Sequence, residues 1–218
     1  MKTKTYQVNE IFHSVQGEGV LSGMPATFVR LQGCTVGCEW CDTKYTWAKG
    51  GTRMSCGDIL KEAQLGSGNV VITGGEPTLY DLDPLLKVLV GGGINHVQLE
   101  TSGQQALKGR VKPSWVTWSP KKNLDFEAPF EFKKMVDEVK WVVDQHFYDE
   151  CWSMVVAQYL QFRTALNKEP YFVFMPEGCP PDNLSMAKAL YFVENKPKGI
   201  NPGKWRFSDR IQYRLGVR

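Results

Sequence analysis

Thr27-Phe28-Val29-Arg30-Leu31-Gln32-Gly33-Cys34-Thr35-Val36-Gly37-Cys38-Glu39-Trp40-Cys41 joins a β-rich apolar run to a glycine-containing loop with three thiols at C-x3-C-x2-C spacing. Runs of the same kind recur at Gln7–Phe12, Asn69–Thr73, His96–Glu100, Trp115–Trp118, Val139–Val143 and Tyr171–Phe174. Segments of helical spacing lie between several of them. One begins at Ser55 with Asp58 three residues on, a second at Asp81 with Pro84 in its first turn, and a third is opened by Pro181 and runs over Asp182–Glu194. A longer helix is expected over Asp149–Leu166, and Gly91-Gly92-Gly93 reads as a helix stop. This alternation predicts repeated β-α units and a mainly parallel α/β sheet. No internal repeat and no linker rich in Pro, Gly or Ser divides the chain, so residues 1–218 are expected to form one domain.

Ligands of such sheets bind beyond the carboxyl ends of the strands. Three of those ends carry small residues: Gly74-Gly75-Glu76-Pro77, Thr101-Ser102-Gly103 and Ser119-Pro120-Lys121. Any one of them alone is an ordinary turn. Three at one edge predict a place where backbone approaches a polar ligand closely.

Three of the six cysteines fall within eight residues, while Cys56, Cys151 and Cys179 are scattered. A disulfide framework would spread its pairs along the chain, so clustered thiols suggest a metal or cluster site in a reducing compartment. Structural zinc wants four protein ligands and an electron-transfer 4Fe-4S cluster usually four thiolates, but only three are local. Either a fourth ligand comes from Cys56, Cys151, Cys179 or a His, or one iron is left open to a small molecule.

With 42% hydrophobic and 22% charged residues the composition is globular, which excludes a disordered or collagen-like chain. No uninterrupted apolar stretch reaches the roughly 18 residues of a membrane span, and Met1-Lys2-Thr3-Lys4-Thr5-Tyr6-Gln7 has no apolar signal core. A cytoplasmic location without membrane contact is expected. The net charge of +3 is too small to argue for nucleic acid, but seven basic residues (Lys196, Lys198, Lys204, Arg206, Arg210, Arg214, Arg218) crowd the C-terminal segment against Asp209 alone. That segment is either a solvated basic face or meets an anionic ligand.

The C-x3-C-x2-C loop followed by an α/β pattern resembles the radical S-adenosylmethionine (SAM) enzymes. Asn9-Glu10-Ile11-Phe12, Val15-Gln16-Gly17-Glu18-Gly19, Arg30-Leu31-Gln32-Gly33-Cys34 and Cys41-Asp42-Thr43-Lys44-Tyr45-Thr46-Trp47 narrow the resemblance to the 7-carboxy-7-deazaguanine synthase family. Val70-Val71-Ile72-Thr73-Gly74-Gly75-Glu76-Pro77, Glu100-Thr101-Ser102-Gly103 and Trp115-Val116-Thr117-Trp118-Ser119-Pro120-Lys121 extend it, with dense similarity from about Val8 to Lys121. The resemblance implies an incomplete (β/α)6-type radical SAM barrel, usually homodimeric. It implies a lyase that converts 6-carboxy-5,6,7,8-tetrahydropterin into 7-carboxy-7-deazaguanine and ammonia in queuosine-type deazapurine biosynthesis. SAM, a 4Fe-4S cluster and Mg²⁺ are the cofactors it implies, and flavodoxin or ferredoxin the electron donor.

Carried over residue by residue, Cys34, Cys38 and Cys41 would hold the cluster and Thr43 would supply a hydroxyl to Mg²⁺. Val15, Gln16, Gly17, Glu18, Arg30 and Thr101 would bind the pterin, and Trp40, Asp42, Gly74, Gly75, Glu76, Gly103, Ser119, Pro120 and Lys121 would meet SAM. Cys56, Cys151 and Cys179 would be bystanders. No general base is evident, and His13, His96 and His146 read as packing or surface residues. The similarity thins beyond Lys121: Met175, Arg210, Gln212 and Tyr213 stand where family members carry Gln, Gln, His and Lys. The basic C-terminal segment is expected to replace some of these missing polar contacts. A glycyl-radical activating enzyme and a non-catalytic cluster-binding module are the alternatives. The former would not use Gln16, Glu18 and Thr43 together.

Overall fold

The computed structural model describes residues 4–147, 149–178 and 180–217. Its strands are β1 (Thr5–Val15), β2 (Pro25–Leu31), β3 (Thr52–Ser55), β4 (Asn69–Gly74), β5 (His96–Thr101), β6 (Trp115–Trp118), β7 (Glu138–Val143), β8 (Tyr171–Pro176) and β9 (Trp205–Phe207). They form one sheet in the order β3-β1-β2-β4-β5-β6-β7-β8-β9. From β2 to β9 every pairing is parallel, whereas β1 runs antiparallel to both β2 and β3. The expected six-stranded parallel barrel corresponds to β2 and β4 to β8, flanked by β1 and β9 in a sheet whose open edges are β3 and β9. Gln7–Phe12 lies within the longer β1, outside the parallel set. The two shortest strands, β3 and β9, are too brief to show periodicity in sequence.

The helices are α1 (Cys56–Gln64), α2 (Asp83–Gly91), α3 (Phe130–Lys133), α4 (Asp149–Ala165), α5 (Asn183–Glu194) and α6 (Ile211–Arg214). Ser55 and Asp58 form the expected capping box, each side chain bonded to the other's backbone N–H. Two starts differ from expectation. Leu82 is the cap of α2, and Asp81 sits one step before it with its Oδ1 accepting from Asp83 N at 3.3 Å. Pro181 lies outside α5, because Asp182 is the cap and bonds the N–H groups of Leu184 and Ser185. Gly92 and Gly93 terminate α2, the latter at φ 84°. No helix of the described residues is long and apolar enough to cross a membrane.

Each parallel strand alternates between two kinds of burial. One face packs under the helices: Val29, Leu31, Val70, Ile72, Val97 and Leu99 join Ile59, Ala63, Leu85 and Leu89 in an aliphatic core. Further along, Trp118, Trp141, Phe172 and Phe174 join Phe132, Phe162, Phe192 and Trp205 in an aromatic one, where Phe172 and Trp205 stack at 5.2 Å. The opposite face carries Arg30, Gln98, Glu100, Thr117, Glu138 and Lys140 at alternate positions, so the polar residues converge away from the helices.

The glycine pair after β4 is required by packing. Gly74 adopts φ 137°, and a Cβ there would stand 2.3 Å from the Leu31 backbone; one at Gly75 would stand 2.1 Å from the Gly33 carbonyl. Gly75 N donates to Leu31 O at 2.9 Å and Glu76 N to Gly33 O at 2.8 Å, so the pair presses the β4 end onto the entry to the cysteine loop. Gly74→Ala is expected to lose about 3 kcal/mol or more, lowering Tm by roughly 6–12 °C. Gly91→Ala, inside α2 with open space around it, should gain about 0.5–1 kcal/mol. Thermal unfolding of the two variants checks both signs.

Candidate active site

Side chains from all but the edge strands surround one cavity of about 330 Å³ at the carboxyl ends of the parallel strands. Cys34, Cys38, Cys41, Thr43, Trp40, Asp42, Val15, Gln16, Gly17, Glu18, Arg30, Thr101, Gly74, Gly75, Glu76, Ser119 and Lys121 all line it. Two expected residues do not. Gly103, at φ 72°, turns its α-carbon toward Trp118 and Phe132, so its glycine identity answers a packing demand. Pro120 is buried behind the wall. His13, bonded to Thr27 Oγ1 at 2.9 Å, His96 and His146 are all absent from the lining. Cys56 is buried and Cys151 half-buried away from the cavity, while Cys179 lies outside the described residues.

The cysteine loop is held at several points. Asn123 Nδ2 donates to the carbonyls of Val36 (3.0 Å) and Gly37 (2.9 Å), and Cys41 N to Cys38 O at 3.2 Å. Buried Gln32 donates to the carbonyls of Tyr45 and Ala48 and accepts from Asn9, pinning the chain that follows Cys41. Burial pushes the thiols of Cys34 and Cys38 up, and the neighbouring Cys41 adds to the effect while Lys121 opposes it at Cys38. Two thiols hindered in ionising by burial, with a third beside them, call for a cationic occupant. Among the described residues no three Cys, His, Asp or Glu side chains converge as a single ion requires. Thiols spread around a space suit a multi-atom iron-sulfur cluster instead, and the donor set fits that group. Thr43 Oγ1 lies 3.5 Å from Cys41 Sγ, beside this position.

Glu76 lines the cavity, but its carboxylate is engaged within the protein. It is buried and accepts from Thr78 N (2.8 Å), Thr78 Oγ1 (2.6 Å), Ser102 N (2.9 Å) and the hydroxyls of Thr101 and Ser102. Five donors saturate it, so it ties the β4 and β5 ends together. Lys121 reaches over the Trp40 ring at 4.5 Å and donates to Ser119 Oγ at 2.6 Å. Burial pulls its ammonium down to about 8.

Opposite the cysteines the wall is ionic. Lys140 Nζ lies 2.6 Å from Glu18 Oε2 and 3.5 Å from Glu100 Oε2. Burial alone would depress its basicity, but Glu100, Glu18 and Glu138 outweigh burial and raise it. Burial likewise would raise Glu18, yet Lys140 and Arg210 hold it well below the usual carboxylate range. Arg210 Nε stands 3.2 Å from Glu18 Oε1, and Gln212 Nε2 donates to the same oxygen at 3.4 Å. The C-terminal segment therefore enters the site, through Arg210 and not as a basic block: Lys204 and Arg206 cover Tyr171, and Arg214 pairs with Asp209. Arg30 pairs with Glu10 at 2.8 Å over the Phe12 ring. Sequence reading missed Glu100, Thr117, Glu138 and Lys140; polar residues at alternate positions of otherwise buried strands were the available signal.

Glu138 lies beneath the Gly17–Gly19 loop, accepting from Val20 N at 2.9 Å. Burial pushes its carboxyl up to about 7, against the pull of Lys140. A carboxyl that holds its proton more tightly folded than unfolded stabilises the fold at low pH, and that contribution fades as pH rises from the ordinary carboxylate range through about 7. Glu138→Gln should therefore match the native Tm near about pH 5 and exceed it above about pH 7.5. A pH-independent Tm difference in thermal unfolding would refute this.

Comparison with known proteins places this geometry. The Radical SAM superfamily pattern matches residues 28–110. The 7-carboxy-7-deazaguanine synthase of Synechocystis sp. is 45% identical over 167 residues, covering 75% of this chain and 77% of that protein. That of Escherichia coli K12 is 41% identical over 160 residues, covering 62% and 70%. The crystal structure of QueE from Escherichia coli superimposes with a TM-score of 0.76 at 30% identity, covering 94% of this chain and 93% of that one. The chain belongs to the 7-carboxy-7-deazaguanine synthase family of radical SAM proteins.

Proposed function

We propose that this chain, acting as a single domain, converts 6-carboxy-5,6,7,8-tetrahydropterin into 7-carboxy-7-deazaguanine and ammonia, a ring contraction in deazapurine biosynthesis. The observation that carries the reading is one cavity with three cysteines on one side and a polar, charge-balanced wall on the other, in a chain of this family. Cys34, Cys38 and Cys41 would hold a 4Fe-4S cluster as thiolates, with SAM bound beside it. Bound there, the cluster and SAM supply one-electron chemistry: reductive cleavage of SAM, hydrogen abstraction from the substrate and its later return.

The chain's own part is to hold and orient. Backbone at Gly74 and Gly75 would meet the SAM amine, since the Glu76 carboxylate is fully engaged. Lys121, Trp40 and Ser119 form one contiguous contact for the rest of SAM, with Asp42 beside them in the lining. Thr43 would give Mg²⁺ a hard oxygen ligand, the remaining positions going to water and to the substrate carboxylate. Arg30 would add positive charge for that carboxylate. Val15, Gly17, Glu18 and Thr101 would shape the pterin pocket, and Phe12, Phe28, Val142 and Met175 line the cavity with apolar surface that excludes water. Gln16 would act from behind, because its amide is spent on Gln98, Glu100 and the Glu18 N–H. A cytoplasmic homodimer served by flavodoxin or ferredoxin, without membrane or direct nucleic-acid contact, completes the proposal.

Anaerobic reconstitution with iron and sulfide, then incubation with reductant, SAM, Mg²⁺ and carboxytetrahydropterin, should yield 7-carboxy-7-deazaguanine. If 5′-deoxyadenosine forms without that product, the substrate is wrong. Replacing any of Cys34, Cys38 or Cys41 by Ser should abolish the brown absorbance and the bound iron. Thr43→Val should leave iron content intact and raise the Mg²⁺ concentration for half-maximal rate about 10-fold, the loss of one oxygen ligand; an unchanged Mg²⁺ requirement would remove Thr43 from that role.

A further inference from the structure

The polar wall holds more hydrogen-bond acceptors than its own donors fill. Gln16 gives its amide protons to Gln98 Oε1 (3.0 Å) and Glu100 Oε1 (2.8 Å), and its oxygen accepts from Glu18 N at 3.1 Å. Glu18 is engaged at both oxygens, Oε2 by Lys140 and Oε1 by Arg210 and Gln212. Glu100 differs between its two oxygens. Oε1 accepts from Gln16 and, at 3.3 Å, from Gln98; Oε2 has among the described residues only Lys140 Nζ at 3.5 Å. That contact is long for a charge-assisted bond, which normally closes to about 2.7–2.9 Å. The Glu100 side chain keeps 20% of its surface open while Lys140 keeps 6%, and both line the cavity.

A second acceptor stands in the same lining. Gln212 Oε1 is buried and, among the described residues, has no hydrogen-bond partner. Its amide cannot be turned round without setting oxygen against Glu18 Oε1. A buried acceptor left unmade is costly, so a wall with one unfilled acceptor, Gln212 Oε1, and another held only by a long contact, Glu100 Oε2, favours a ligand that brings donors.

We infer that Glu100 Oε2 accepts from the exocyclic amine of the substrate heterocycle, making Glu100 a specificity-determining residue that selects an amino-substituted ring over its oxo-substituted counterpart. This rests on the pterin reading given above. An amine proton would fill the open lone pair of Oε2 beside Lys140. A ring carbonyl in its place would set oxygen against carboxylate oxygen in a poorly solvated wall, leaving both unpaired. In Glu100→Gln the amide keeps its Oε1 toward Gln16 and presents NH₂ where Oε2 stood, so the demand at that point inverts from donor to acceptor.

Equilibrium titration of the reconstituted enzyme with SAM bound, without reductant, compares pterin-6-carboxylate with lumazine-6-carboxylate, which carries oxo for amino at carbon 2. The native enzyme should bind the pterin about 10-fold or more tightly than the lumazine, as expected for one charge-assisted bond. Glu100→Gln should lose about 10-fold or more for the pterin while lumazine affinity holds or rises, so that the preference collapses. Equal losses for both ligands would mark Glu100 as a structural residue and overturn the inference, as would pterin affinity equal to native. A native enzyme that binds the pterin without discriminating against the lumazine overturns it with no need for a variant. Native enzyme that binds neither overturns the pterin reading itself, and the Glu100 assignment with it.

Discussion

Lys140 is the charge on which the substrate side of this molecule turns. Its ammonium is almost wholly buried on β7, and it faces Glu18 from the β1–β2 loop, Glu100 from β5 and its neighbour Glu138. Isolated in the interior, such a group would lose several kcal/mol of hydration. Surrounded by carboxylates it stays protonated, and each carboxylate is drawn to it from a different part of the chain. The loop that carries Gln16 to Gly19 has few apolar anchors of its own. It is fixed by Lys140 and Glu138 below, by Ser208 Oγ accepting from Gly19 N, and by Ile211 N donating to Gly17 O. Removing the ammonium alone would strand Glu18 and Glu100 against each other, a worse outcome than never having built the network.

The cysteine side is built by different physics. Position there comes from backbone hydrogen bonds and steric fit: the glycine pair of β4 against Gly33 and Leu31, Gln32 on two carbonyls, Asn123 on two more. No fixed positive charge is needed beyond Lys121, because a cluster supplies its own. Beneath the cavity the core is aliphatic under β2 to β5 and aromatic under β6 to β9.

Seven strands and four helices were legible because each carries a long apolar period or a cap with a local mechanism, as Ser55 and Asp58 do. The cysteines were legible because spacing within a loop is a sequence property. Glu100 and Lys140 were not, since a polar residue inside a strand says nothing about which strand will face it. Their pairing depends on register across β5, β6 and β7. Gly103 is ambiguous for a related reason: a glycine after a strand fits both close approach to a ligand and close approach to Trp118.

Glu18 and Arg210 meet across nearly the whole length of the chain. A pocket whose walls come from residues so far apart in sequence is assembled last in folding, because such contacts must close the longest loops. Affinity for the small molecule thus belongs only to molecules that have finished folding. During synthesis the cysteine loop emerges early and the residues that complete the opposite wall emerge late, so a nascent chain would present thiols before it has a substrate pocket. Occupancy of that pocket then holds the two ends of the sequence together, and stabilises the finished fold by mass action.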